Sequence, residues 1–247
     1  MHRFNNMNNL ISIGEAARQL NVSIDTLRRW DKNNRLRAFR IGPRGHRFYK
    51  QNDINLFVRD LRALVEQWAS SKVGSVPESD VYCQTRDEFQ ARLEKLQSVL
   101  GNKVSLSTVS LLSAIAGEIG NNSFDHNLGN WPDVPGVFFS YDMKENIIVL
   151  ADRGQGILAT LKRVIPELNS FDKALSVAFT EIISGRMPEA RGNGLKFVRS
   201  VVVQNNFTLN FQTGDACLFL KQNDKDVIVK KADVFIRGCF AIIGFED

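Results

Sequence analysis

An unbroken apolar run, Ile147-Ile148-Val149-Leu150-Ala151, leads directly into Asp152-Arg153-Gly154-Gln155-Gly156-Ile157. Such a run, rich in β-branched residues and closed by glycines, predicts a buried strand ending in a tight turn. A carboxylate at the end of that strand can accept an exocyclic amine, and two glycines spaced two apart let the backbone approach a ligand closely. Upstream, the periodicity of residues 106–124 predicts a long helix whose C-terminal end is polar. Glu118 and Asn122 lie four apart on one face of it, with Asp125 about one turn further on. A carboxylate and a carboxamide so placed can hold a hydrated Mg²⁺ or orient a water, because hard cations take oxygen ligands. Downstream, Arg191-Gly192-Asn193-Gly194-Leu195 opens an apolar helix over 196–203. Glycines at a helix start present free amides to an anion such as phosphate.

The three elements in this order, Glu118-x-x-x-Asn122, Asp152-x-Gly154-x-Gly156 and Gly192-x-Gly194-Leu195, resemble the ATP-binding domain shared by gyrase, MutL, heat-shock chaperone ATPases and histidine kinases. The resemblance runs from about residue 86 to the C-terminus. It implies a helix layer on a mostly antiparallel sheet, the Bergerat-type fold, with ATP and Mg²⁺ as cofactors. It implies that Asn122 binds Mg²⁺ beside the phosphates, that Asp152 takes the adenine amino group, and that Gly154 and Gly156 shape the adenine wall. Asp125, Arg191, Gly192, Gly194 and Leu195 then belong to the phosphate side. Thr213, opening Thr213-Gly214-Asp215-Ala216-Cys217 before a terminal strand, matches the family's late Thr/Gly turn. Residues 157–190 become the lid, with Arg186 and Glu189 beside the phosphate loop. Glu118 falls where hydrolytic relatives place a general base, which would support slow Mg-dependent ATP hydrolysis.

Charge divides the chain. Residues 1–70 carry 13 lysines and arginines against 6 acids, and residues 71–247 carry 19 against 21. A basic front segment on a near-neutral remainder is the footprint of a nucleic-acid-binding module. Apolar residues at 13, 16, 17 and 20 mark one helix face, Ser23 is placed to cap a second helix starting at Ile24, and Leu27 and Trp30 face inward. Two short helices about a tight turn read as a helix-turn-helix, and the Gly/Pro turn between residues 36–41 and 46–49 reads as a β-hairpin wing.

The motifs Ile13-Gly14-Glu15-Ala16-Ala17, Val22-Ser23-x-x-Thr26-Leu27-Arg28-Arg29-Trp30-Asp31 and Gly45-His46-Arg47-Phe48-Tyr49 resemble the winged-helix domain of MerR-type regulators and phage excisionases. The resemblance implies that Thr26, Arg28 and Arg29 face double-stranded DNA while Arg44, His46, Arg47 and Tyr49 grip its backbone. The apolar seam Ile54, Phe57, Leu61, Leu64 and Trp68 suits packing against this domain or a homodimer contact. The expected architecture is α+β: a winged helix-turn-helix over residues 8–68, a linker over 69–85, and a two-layer α/β sandwich over 86–247.

Three widely spaced cysteines without a CxxC pair argue against a disulfide framework or zinc site. No apolar run nears the ~20 residues of a membrane helix, and the opening residues show no secretion signal, so the expectation is a cytoplasmic, nucleoid-associated protein. A histidine kinase needs a phosphoacceptor histidine on a helix ahead of its nucleotide domain. The chain has only His2, His46 and His126, and the helix expected over 86–100 has none. The leading reading is a transcriptional regulator in which ATP binding switches conformation or dimerisation. The alternative is an ATPase, or a serine/threonine kinase of the anti-sigma type acting on a protein partner, delivered to DNA by its front domain.

Overall fold

The computed structural model describes residues 10–20, 22–32, 36–43, 45–181 and 194–246. The front segment begins with strand β1 (Leu10–Ser12) and helix α1 (Ile13–Gln19), whose first turn is capped by the Ser12 hydroxyl accepting the Glu15 amide at 3.2 Å. Helix α2 (Ile24–Lys32) is capped in the same way, Ser23 Oγ accepting the Thr26 amide at 3.0 Å. Strands β2 (Phe39–Ile41) and β3 (His46–Lys50) form an antiparallel hairpin, and β1 pairs with the other edge of β3. Ala16, Ala17, Leu20, Leu27, Trp30 and Tyr49 close into one small core, as the i, i+3, i+4 spacing on both helices requires.

Helix α3 (Gln51–Ser70) has 20 residues and so is roughly 30 Å long. It joins two cores. Ile54 and Phe57 near its start pack into the helix-turn-helix, with the Phe57 ring 4.7 Å from that of Trp30. Val65, Trp68 and Ala69 near its end pack on a sheet further along the chain. The expected boundary at residue 68 therefore falls inside a helix, and the two ends of the apolar seam, Ile54 and Phe57 at one and Trp68 at the other, pack on different partners within one chain.

That sheet is formed by β4 (Tyr82–Cys83), β5 (Val137–Asp142), β6 (Ile147–Asp152), β7 (Phe207–Lys221) and β8 (Val229–Phe245), in the antiparallel order β4-β5-β6-β8-β7. One face carries helices α4 (Arg86–Leu100), α5 (Leu106–Asn127), α6 (Gly156–Leu161), α7 (Phe171–Thr180) and α8 (Gly194–Gln204). A capping box of Thr85 and Glu88 starts α4, and Ser105 caps α5. Two layers were expected. The end of α3 adds a third on the opposite face, and this explains why β6 is apolar at consecutive positions. Ile148 and Leu150 point to the α5 side, whereas Ile147, Val149 and Ala151 point to the α3 side.

Two further expectations change. Of the segment expected as a lid, residues 157–180 hold most of α6 and all of α7, and Leu161 of α6, Leu168 of the connection between them, and Leu175 and Phe179 of α7 belong to the main core. Thr213-Gly214 is not a turn before a terminal strand. It lies inside β7, at a register shift against β8, and the final strand is β8. Among the described residues, no helix is long and apolar enough to cross a membrane.

The alternation along β6 continues past its end. Arg153 points to the α3 side and is fully buried. Its Nη1 donates to the Trp68 carbonyl, its Nη2 to the Ser71 carbonyl at 2.8 Å, and its Nε to Asp133 Oδ2 at 2.9 Å. Trp68 Nε1 in turn donates to the Ser75 carbonyl at 2.7 Å. Replacing Arg153 by alanine strands a partly buried carboxylate and two carbonyls, and is expected to cost about 3 kcal/mol or more of unfolding free energy, measured by urea denaturation.

Candidate functional site

The site in the back domain is centred on Asp152, the last residue of β6, which is 2 % exposed. Its Oδ2 accepts the Ser123 hydroxyl of α5 at 2.7 Å, and its Oδ1 accepts the Gly154 amide at 2.8 Å. Burial raises the carboxyl pKa to about 6, against the lowering effect of hydrogen bonds from Ser123, Gly154 and the Cys239 amide. Gly238, at φ +66, lies so close that a Cβ would strike the Asp152 carboxylate. Gly156, at φ +73, would bring its Cβ to 2.9 Å from Thr213 Oγ1. Both positions need the left-handed backbone and the missing side chain. Thr213 Oγ1 donates to the Gly238 carbonyl at 2.9 Å and accepts the Ile157 amide at 3.3 Å, tying the glycine turn to the β7–β8 pair. A cleft of about 470 Å³ opens beside it, lined by Gly154, Gly156, Phe171, Thr213, Phe235 and Lys72 among others.

Glu118 and Asn122 gather with Gly194 one turn earlier along α5. Asn122 Nδ2 donates to Glu118 Oε1 at 3.1 Å, and a Cβ on Gly194 would collide with that same carboxylate oxygen. The start of α8 thus rests against the carboxylate and carboxamide, with Leu195 packed at the edge of the main core. Two oxygen-bearing side chains beside a glycine amide form a donor set that fits a hard cation and an anionic ligand. Asp125 is engaged elsewhere, in an ion pair with Arg86 at the start of α4. Arg186, Glu189, Arg191 and Gly192 lie outside the described residues.

Side chains without a role in the sequence reading complete this site. Ser123 and Asn127 extend the polar face of α5 at a spacing of four. Asn127 Oδ1 accepts the Gln155 amide at 2.8 Å and its Nδ2 donates to the Ser123 carbonyl at 2.8 Å, so the amide group fixes the glycine turn against the helix. The i, i+4 spacing was the available signal for both; Gly238 and Cys239, 86 and 87 residues from Asp152, had none. The Cys239 thiol is pushed up by burial and by the charge of Asp152. Burial lowers the His126 pKa, reinforced by the charge of Arg163.

In the front domain Arg28 is exposed and pairs with Asp25 of the same helix at 2.7 Å, and His46 is exposed on the wing. Arg47 Nε and Arg40 Nη2 both reach Asp31 Oδ2, at 2.8 and 2.9 Å, across the hairpin register. Burial raises the Asp31 pKa, but the Arg47 hydrogen bond, the Ala38 amide and the two arginine charges together hold it below the usual carboxylate range. Two expected DNA contacts are placed differently. Tyr49 is fully buried, its hydroxyl donating to the Leu27 carbonyl at 3.2 Å, because its strand position faces α2. Thr26 is 3 % exposed, covered by Asp80, to which its hydroxyl donates. Arg29 pairs with Glu78. Arg44 lies outside the described residues.

Residues 12–49 match the family described as MerR family regulatory protein. The matched segment runs from the end of β1 into β3, and it is a MerR-family helix-turn-helix domain, which implies DNA binding. No curated protein matches the chain.

The raised Asp152 pKa has a sign that can be measured. Folding raises it from 3.8 to about 6, so the native state binds this proton more tightly, and ionisation of Asp152 costs stability as pH rises through that window. Relative to Asp152→Asn, the wild type is expected to lose roughly 2 kcal/mol between pH 4 and pH 7 and to show no further change above it, followed by urea unfolding at each pH.

Proposed function

We propose that this chain is a DNA-binding transcriptional regulator whose affinity for its operator responds to ATP. The helix-turn-helix supplies the DNA reader. A Bergerat-type nucleotide domain is the reading that best accounts for the back half: a buried carboxylate at a strand end, glycines at Gly154, Gly156 and Gly194, and a Glu118–Asn122 pair on the facing helix. Asp152 would accept the adenine amino group, Thr213 and Gly156 would border the base, and Gly194 would present its amide to phosphate. Asn122 and Glu118 offer the oxygen donors that a hydrated Mg²⁺ takes, and a bound Mg²⁺ would supply neutralisation of phosphate charge.

One observation carries the switch. Asp152 and Arg153 are consecutive, and the first faces Ser123 of α5 beside the glycine turn while the second holds the end of α3, which carries the helix-turn-helix. A ligand that shifts the Asp152–Gly156 turn therefore acts on the helix that positions the DNA reader. A coupling of about 1–3 kcal/mol gives a 5–150-fold change in affinity. The closeness of Glu118 to Gly194 favours a second reading, slow hydrolysis with Glu118 as the base.

Calorimetric titration with Mg-ATP is expected to show micromolar binding in the wild type and none in Asp152→Asn. DNA affinity, read by fluorescence anisotropy with and without Mg-ATP, is expected to differ at least fivefold. Absence of nucleotide binding in the wild type rejects the ATP reading, and unchanged DNA affinity with phosphorylation of a partner protein replaces the switch by a kinase. For the DNA reader, Arg28→Ala is expected to weaken binding and to reduce the log–log salt slope by about one, as loss of a single phosphate contact does.

A further inference from the structure

The recognition helix of a helix-turn-helix reads DNA with residues near its N-terminus, and in this chain that end of α2 is already occupied. Thr26 donates to Asp80, and Arg29 pairs with Glu78. Both acids come from the segment joining α3 to β4, and both lie opposite the basic front of the protein. The segment is anchored on every side. The Val81 amide donates to the Glu78 carbonyl at 3.1 Å and closes a turn, and the Arg92 guanidinium of α4 donates to the carbonyls of Ser79 and Asp80. The Phe139 amide donates to the Val81 carbonyl at 2.8 Å, and Tyr82 pairs with Phe138 at the sheet edge. At its other end, Ser71 and Ser75 accept from Arg153 and Trp68.

We propose that Glu78 and Asp80 form an internal competitor for DNA, an acidic turn fixed to the back domain that lies on the recognition helix and must be displaced before the helix can enter a major groove. Three physical points support it. The carboxylates meet the same guanidinium and hydroxyl that would otherwise meet phosphate or a base edge. Thr26 at 3 % exposure cannot reach a base while Asp80 covers it. The carbonyls of the turn accept from the Arg92 guanidinium of α4 and the chain after it pairs with a sheet edge, so release requires the front domain to move away as a unit on α3. The inference rests on the DNA-binding reading of residues 12–49 and is independent of the nucleotide reading.

The experiment compares full-length wild type, the isosteric pair Glu78→Gln/Asp80→Asn, and a control pair Glu94→Gln/Asp226→Asn. The control removes the same charge from exposed positions of the back domain. Affinity for one labelled duplex is measured by anisotropy at fixed salt. The expected result is roughly tenfold tighter binding by Glu78→Gln/Asp80→Asn and a much smaller gain by the control. Equal affinity of wild type and the first pair overturns the competitor and leaves DNA binding intact. An equal gain in both pairs also overturns it, since the effect is then one of net charge. No binding by any of the three overturns the DNA-binding reading and the competitor together. Near-ultraviolet circular dichroism of each variant verifies that it is folded.

Discussion

A guanidinium removed from water needs its N–H donors met inside the protein, and Arg153 meets them with two carbonyls from the end of α3 and the carboxylate of Asp133. That requirement fixes where α3 must stop and which face of the sheet it must cover. The indole of Trp68 then lies against Phe138, with ring centroids 6.0 Å apart, and the apolar face of β6 that points away from α5 is sealed. Without this anchor the third layer would have no specified position, and the helix-turn-helix would have no fixed relation to the back domain.

The same anchor gives the molecule its directional logic. Strand alternation sends Asp152 toward α5 and Arg153 toward α3, so two adjacent residues address two different regions. On the first side lie Ser123, the glycine turn and Gly238, packed so closely that side chains at the glycines are excluded. On the second lie the end of α3 and the connecting segment, whose acids rest on α2. The basic character of the front domain is therefore partly met within the chain: Arg29 by Glu78, and Arg40 and Arg47 by Asp31. Arg28 keeps the exposure that a DNA contact needs.

Much of this was legible in the residues. Caps at Ser12, Ser23, Thr85 and Ser105 and the apolar spacing of the helices are local signals, because a cap and the first turn it satisfies lie within four residues. Helix α4 occupies the span its periodicity indicated, and the helix-turn-helix with its wing follows from turn chemistry and alternation. The glycine boxes marked where backbone comes close to other groups, and Gly156 and Gly194 do so. The partners of those glycines were another matter. Gly238 sits against Asp152 and Thr213 sits inside a bulged strand because β7 and β8 pair across the sheet, and no local pattern announces such a pairing.

By itself, then, the sequence determined the helices of the front domain, α4, α5 and strand β6, the basic front domain and the residues able to carry chemistry, since these depend on spacing within a few turns of chain. Only the tertiary structure decided that α3 is shared between two cores, that Tyr49 and Thr26 are covered, and that an acidic turn lies on the recognition helix. Those outcomes depend on contacts between segments 22 to 85 residues apart. Such contacts are selected by burial of whole surfaces and by pairing of buried charge, neither of which has a signature in the neighbouring residues.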